Sequence, residues 1–111
     1  MESETAVRAL AALAQSSRLA LFRSLVQAGP MGDFPGELSQ RLDIPANTLS
    51  FHLKTLAQAG LVDALREGRA IRYVARFDAM NDLVAFLGEN CCGGDASLCA
   101  PDATARGCNA A

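Results

Sequence analysis

Histidine occurs once in these 111 residues, at position 52, and cysteine is absent from the first 90. A lone histidine with no carboxylate cluster beside it argues against a histidine-built metal or catalytic centre, and favours a structural or hydrogen-bonding role. No apolar run approaches the roughly 20 residues that a membrane-spanning helix needs. The opening Met1-Glu2-Ser3-Glu4 is acidic and lacks the basic start of a signal peptide, so the expected compartment is the cytoplasm. A large excess of one charge is missing too. The net charge is −2, half of the residues are hydrophobic and a fifth are charged, which is the composition of a globular chain and not of a disordered one. This length suits one domain with a modest core, and pairing with a second copy would bury more.

An acidic total argues against a nucleic-acid binder, but its distribution argues the other way. Residues 1–40 carry a net −1 and residues 77–111 a net −4. Residues 41–76 carry Arg41, Lys54, Arg66, Arg69, Arg72 and Arg76 against Asp43, Asp63 and Glu67, a net +3. The middle third is where a phosphate backbone would be met. A solvated surface that happens to be basic has the same charge, so the pattern of the segment has to decide.

The periodicity predicts five helices and one hairpin. Val7, Leu10, Ala11 and Ala14 mark a first helix over about 4–14. Leu19, Phe22, Leu25 and Val26 mark a second, capped by Ser16 or Ser17 and stopped by Gly29-Pro30. Pro35 suits the first turn of a third helix running to Leu42, and Pro45 the first turn of a fourth over about 45–59, with Leu49, Leu53 and Leu56 inward and Gly60 at its end. From Leu61 the period shortens to two. Val62–Arg66 and Ile71–Arg76 flank the turn Glu67-Gly68-Arg69, a β-hairpin with basic residues on its tip and arms. Met80, Leu83, Val84 and Leu87 mark a fifth helix over about 79–89, after which the chain is small, polar and glycine-containing, a flexible tail. The expected fold is mainly α with a small β-hairpin: a winged helix-turn-helix in a DNA-binding and dimerisation domain over 1–89, then a cysteine-containing tail over 90–111.

The third and fourth helices form the reading unit. Leu38, Leu42, Leu49 and Leu53 lock the pair together, while the other face of the fourth helix presents Asn47, Thr48, Ser50, Phe51, Lys54 and Thr55. A short-chain polar face at a helix N-terminus suits the major groove: Asn can pair with adenine, Ser and Thr with bases or phosphates, and Phe51 with a thymine methyl. Lys54 and the wing arginines would neutralise phosphates. The candidate DNA-contacting set is Asn47, Thr48, Ser50, Phe51, His52 and Lys54 from the helix, with Arg66, Arg69 and Arg72 from the wing. A plain helical hairpin with a soluble polar face would share the first part of this pattern, but the basic β-hairpin that follows at once favours DNA.

The run from Glu37 through Phe77 resembles the ArsR/SmtB family of metal-responsive winged-helix repressors. Leu49-Ser50-Phe51-His52-Leu53-Lys54-Thr55-Leu56 with Ala59-Gly60-Leu61-Val62 is similar to the family's recognition helix and its exit, and Glu67-Gly68-Arg69 through Tyr73 to its wing. The likeness extends over about residues 5–89. It implies a homodimer joined through the first and last helices, bound to double-stranded operator DNA, and repression of a metal-resistance operon that the metal relieves. The sequence departs from the family at both of its usual metal sites. Many arsenic-sensing members carry a Cys-x-Cys pair at the start of the third helix, where this chain has Phe34-Pro35-Gly36-Glu37. The histidines of the family's other site, on the last helix, are missing as well.

All four cysteines lie in the tail, at positions 91, 92, 99 and 108. Soft thiolates select thiophilic ions, and As(III) or Sb(III) takes three sulfurs in a pyramid. Cys91, Cys92 and Cys99 can supply them, with Gly93-Gly94 letting the backbone fold back; Cys108 is treated as dispensable. Some members of the resembled family carry an arsenic site in a C-terminal cluster that begins with a Cys-Cys pair, which raises arsenic above its alternatives. Those alternatives are zinc, whose usual paired spacing is absent, a thiol redox switch, and incidental cysteines in a tail. From another class comes a small thiol enzyme such as an arsenate reductase. It would need an activated cysteine beside an anion cradle, whereas Cys91 follows a helix C-terminus, which disfavours a thiolate, and Arg106 is the tail's one arginine. The expectation is therefore a non-enzymatic repressor with As(III) or Sb(III) as inducer and no organic cofactor.

Overall fold

Five helices and one two-stranded antiparallel hairpin make up the described chain, residues 1–94 of the computed structural model. In order they are α1 (Ser3–Leu13), α2 (Ser16–Ala28), a 3-10 turn (Gly29–Met31), α3 (Pro35–Leu42), α4 (Ala46–Gln58), β1 (Val62–Glu67), β2 (Ala70–Ala75), α5 (Phe77–Leu87) and a second 3-10 turn (Cys91–Gly94). The expected winged helix-turn-helix is the observed architecture, with boundaries shifted by a residue or two. Helix α2 is the hub, packing against α1, α3, α4 and β2. Among the described residues no helix is long and apolar enough to cross a membrane.

The core is leucine. Leu21 and Leu25 of α2, Leu38 of α3, Leu49, Leu53 and Leu56 of α4, and Leu61 with Val62 at the start of the hairpin are fully buried. Each such side chain stabilises the fold by roughly 1.5–3 kcal/mol relative to exposure. Pro35 occupies the first turn of α3, where a missing N–H costs nothing. Asp43 ends that helix in the left-handed conformation, with φ 54°, which a short polar side chain tolerates. Ser39 then closes the turn into α4: its backbone carbonyl accepts from the Ile44 N–H at 3.1 Å, and its hydroxyl donates to the Ile44 carbonyl at 2.5 Å.

Two local expectations are corrected, in α2 and at Pro45. Helix α1 leaves its marking stripe of Val7, Leu10 and Ala14 exposed. Its inward residues are Ala6, Ala9 and Ala12, whose small side chains let it lie close, while Val7 and Leu10 face out. Helix α2 is capped by Gln15, whose side chain accepts from the Arg18 N–H at 2.8 Å, and not by Ser16 or Ser17; Leu19 on that helix is exposed and Leu21 takes the buried position. Pro45 sits just before α4 as its cap and not within its first turn.

Strands β1 and β2 pair from Val62 opposite Ala75 to Glu67 opposite Ala70, leaving Gly68-Arg69 as a two-residue turn. Gly68 has φ +61°, the requirement of the first central position in a II′ hairpin. Only the base of the hairpin is fully buried, at Val62 and Ala75; β2 is half-buried from Ile71 to Val74, with Tyr73 against the core, while the rest of β1 and the turn are exposed. The loop between α2 and α3 joins its outer edge. Asp33 and Tyr73 exchange backbone hydrogen bonds of 2.9 and 2.8 Å, an isolated antiparallel bridge outside the two strands.

Candidate nucleic-acid interface

Leu49, His52, Leu53 and Leu56 repeat at i, i+3, i+4 and i+7 and turn α4's inner stripe into the core. That burial fixes the opposite face. Asn47, Thr48, Ser50, Phe51 and Lys54 are all exposed on it, Phe51 at 63 %, as the sequence led us to expect. Two of the polar groups already have local partners. The Asn47 Oδ1 accepts the Thr48 N–H at 3.0 Å, which satisfies an otherwise orphaned donor of the first turn and leaves the Asn47 amide NH2 for an outside acceptor. The Thr55 hydroxyl donates back to the Phe51 carbonyl at 3.1 Å, and Thr55 is half-buried.

His52 is a correction to the candidate set. It is 7 % exposed and points into the core instead of toward solvent. Its Nδ1 is buried without a hydrogen-bond partner among the described residues, and its ring lies 6.1 Å from that of Phe51. Burial, and secondarily the charge of Arg18, holds its pKa below the usual histidine value, so the ring is neutral near pH 7. The signal for this was in the sequence: position 52 is three residues beyond Leu49 and four before Leu56, on the same stripe.

The six basic residues of the middle third separate into two sets. Arg41 pairs with Asp33 and reaches the Ser24 hydroxyl at 3.4 Å. Arg76 hydrogen-bonds Asp78 at 2.9 Å, with Asp63 at 3.8 Å; the bond to Arg76 holds the Asp78 carboxyl below its usual range. Arg72 pairs with Glu67 at 2.9 Å and donates to the Met31 carbonyl at 2.6 Å. Lys54, Arg66 and Arg69 form no ion pair among the described residues, and all three are exposed, one on α4 and two on the wing. Arg72 thus differs from the other wing arginines: it is directed back toward the body, with its side chain 18 % exposed. Sequence reasoning did not single out the anchors of this arrangement, Met31 and Asp33, because they lie some 40 residues from the wing.

At the C-terminal end Cys91 is exposed with a free thiol in the turn after α5, one helical turn beyond Leu87. Cys92 lies in the same turn. Cys99 and Cys108, the remaining sequence-predicted thiols, lie outside the described residues. Among the described residues no three His, Cys, Asp or Glu side chains gather to hold an ion.

Known proteins with related sequences and folds point the same way. Residues 13–63 match the family described as a helix-turn-helix domain. The chain is 31 % identical over 85 residues to the HTH-type transcriptional regulator YgaV of Escherichia coli, covering 77 % of this chain and 84 % of that protein. It is 38 % identical over 94 residues to the biofilm growth-associated repressor of Agrobacterium fabrum, covering 84 % and 71 % respectively. Among solved structures, an ArsR-like transcriptional regulator from Rhodococcus sp. RHA1 superposes with a TM-score of 0.71 at 26 % identity, covering 86 % of this chain and 87 % of that one.

Proposed function

The chain belongs to the ArsR-like family of winged helix-turn-helix transcriptional regulators, and from that premise we propose that it is a cytoplasmic homodimeric repressor of a metalloid-resistance operon, released from its operator by As(III) or Sb(III). The observation that carries the DNA-binding part is the exposed face of α4, seated on its buried leucines, beside a wing whose Arg66 and Arg69 form no ion pair among the described residues. Asn47, Thr48, Ser50 and Phe51 would read base edges, and Lys54, Arg66 and Arg69 would meet phosphates.

The homodimer is supported by apolar side chains that the other described residues leave uncovered. Val7 and Leu10 on α1 and Val84 and Leu87 on α5 are exposed, on the first and last helices, which also pack against each other. A twofold axis there would present two recognition helices to successive major grooves, about 34–36 Å apart.

The inducer part rests on Cys91, Cys92 and Cys99, with the exposed Cys91 sulfur as its support in the fold. Three thiolates match the coordination of As(III) or Sb(III). Cys91 is four residues beyond the exposed Leu87, so drawing the thiolates together would act at the edge of the proposed interface. Metalloid and DNA then oppose each other by linkage, each favouring a different dimer geometry. The test is a mobility shift on DNA from upstream of the gene, with and without arsenite. The parent should release DNA. Cys91→Ser, Cys92→Ser and Cys99→Ser should each stay bound, and Cys108→Ser should respond normally. Retained response in the Cys99 variant would replace the three-sulfur site with a two-thiolate one suited to a methylated arsenical. Retained response in all four variants would refute thiol sensing by the tail.

A further inference from the structure

We propose that Arg72 is the positioning residue of the wing: its guanidinium ties the hairpin to the loop between α2 and α3, and thereby sets where Arg66 and Arg69 meet DNA. This rests on the DNA-binding reading above and assigns Arg72 a different task within it from that of a phosphate contact.

The wing needs such a tie. Beyond Val62 and Ala75 its side chains are at best partly buried, with Tyr73 resting against the core, so apolar packing holds the base of the wing and leaves its outer part weakly fixed. Two adjacent residues of β2 add polar bonds there. Tyr73 exchanges backbone hydrogen bonds with Asp33. Next to it, Arg72 Nη1 donates to the Met31 carbonyl at 2.6 Å and reaches the Pro30 carbonyl at 3.5 Å, while its Nε donates to Glu67 Oε2 at 3.0 Å. The connection continues inward, because the Asp33 carboxylate pairs with Arg41 on α3. A chain of polar bonds therefore runs from the wing through the loop to the first helix of the helix-turn-helix.

Arginine suits this position for a geometric reason. Its planar fork presents donors in fixed directions, and here they serve backbone carbonyls on one side and a carboxylate on the other; a lysine ammonium offers a point charge on a flexible stem. The charge of Arg72 is also already matched by Glu67, so docking it on a phosphate would first break that pair. Arg66 and Arg69 carry no such commitment among the described residues.

The test compares full-length Arg72→Ala, Arg72→Lys, Arg69→Ala and the Arg69→Ala/Arg72→Ala double variant with the parent, after circular dichroism shows each to be folded. Hydrogen exchange at the Asp33 and Tyr73 amides reads the tie without DNA. Loss of it should speed exchange about tenfold or more in both Arg72 variants and leave the Arg69 variant at the parent rate. Binding to mixed-sequence duplex DNA at low salt reads the consequence. Both Arg72 variants should weaken binding alike, and Arg69→Ala should add little once Arg72 is gone, because the wing is already out of register. Parent-like exchange in Arg72→Ala overturns the proposal whether or not DNA is bound. So does parent-like binding by Arg72→Lys, or losses from Arg69→Ala and Arg72→Ala that simply multiply, since both mark an independent phosphate contact. Where Arg72→Ala does not fold, Arg72→Lys carries the same comparison. A parent that binds no duplex even at low salt refutes the DNA-binding reading instead, and the exchange arm then decides the tie by itself.

Discussion

The recognition helix and the wing stand side by side in the chain, yet they are held by different forces. Helix α4 is fixed by burial: Leu49, Leu53 and Leu56 are at most 1 % exposed. The wing has only a partial apolar seat, Tyr73 and the half-buried side chains of β2, and adds directional bonds to it, the Asp33–Tyr73 bridge and the Arg72 tie, with β1 and the turn in solvent. The difference teaches where each can fail. A helix seated on apolar area loses its place when volume is removed. A hairpin seated on hydrogen bonds loses its place when the geometry of one strand or one loop is disturbed, while the body stays folded.

The largest effect should come from the buried side. Leu53→Ala empties a fully buried position between α4 and the rest of the core, and such truncations cost about 2–5 kcal/mol. In a domain of this size that is a drop of roughly 8 °C or more in Tm. Thermal melts followed by circular dichroism check it. A change within a degree or two would mean that α4 is not held by its leucine stripe.

The next effect belongs to the loop that meets the wing. Gly32 has φ +62°, and a Cβ there would press into the Tyr73 carbonyl oxygen and come within 2.8 Å of Val74 Cγ2. Gly32→Ala should therefore part the loop from β2 at a cost of about 1–3 kcal/mol, through strain alone. The expected signature is local: fast hydrogen exchange at Asp33 and Tyr73 with α4 still protected. Equal loss of protection in α4 would show that the two regions fold as one unit, and the contrast drawn between them would fall.

That contrast was only half legible in the amino-acid sequence. The helix-turn-helix could be read because its determinants are local. A 3.6-residue leucine stripe, Pro35 at a helix start and Gly68 at a hairpin turn all act within a few residues of themselves. The exposed reading face, Asn47, Thr48, Ser50, Phe51 and Lys54, followed from the same stripe. The wing's attachment could not be read, because Met31 and Asp33 meet Arg72 and Tyr73 across some 40 residues with no shared pattern. For the same reason all three wing arginines looked alike. In helix α1 the outward stripe of Val7 and Leu10 was legible, but the close contact made by Ala6, Ala9 and Ala12 was not, because small side chains give little periodic signal. Cys99 and Cys108 lie beyond the described residues, so the tail stands where sequence reasoning left it.

The smallest effect expected is a pH dependence that belongs to the helix side alone. His52 is the sole histidine and is buried on the α4 stripe, its Nδ1 unpartnered among the described residues. Its native pKa is lowered, first by burial and then by the charge of Arg18, which is held nearby by its own bond to the Ala12 carbonyl. The unfolded chain has the ordinary histidine value of about 6.5. Between the two values the unfolded state binds the proton and the native state does not, so stability rises with pH across that window. The contribution is complete above about pH 6.5 and declines as the pH falls toward the native value. Urea midpoints measured from pH 8 down to pH 5 should fall below about 6.5 in the parent, and that segment of the fall should be missing in His52→Gln, a neutral side chain of similar reach. The wing should not share the dependence, because the one histidine lies on α4 and not on the hairpin. Protection at Asp33 and Tyr73 should track pH only through the global stability. A parent midpoint that stays flat or rises on acidification through pH 6 would contradict the burial of His52, and with it the stripe that turns Asn47, Ser50 and Phe51 toward DNA.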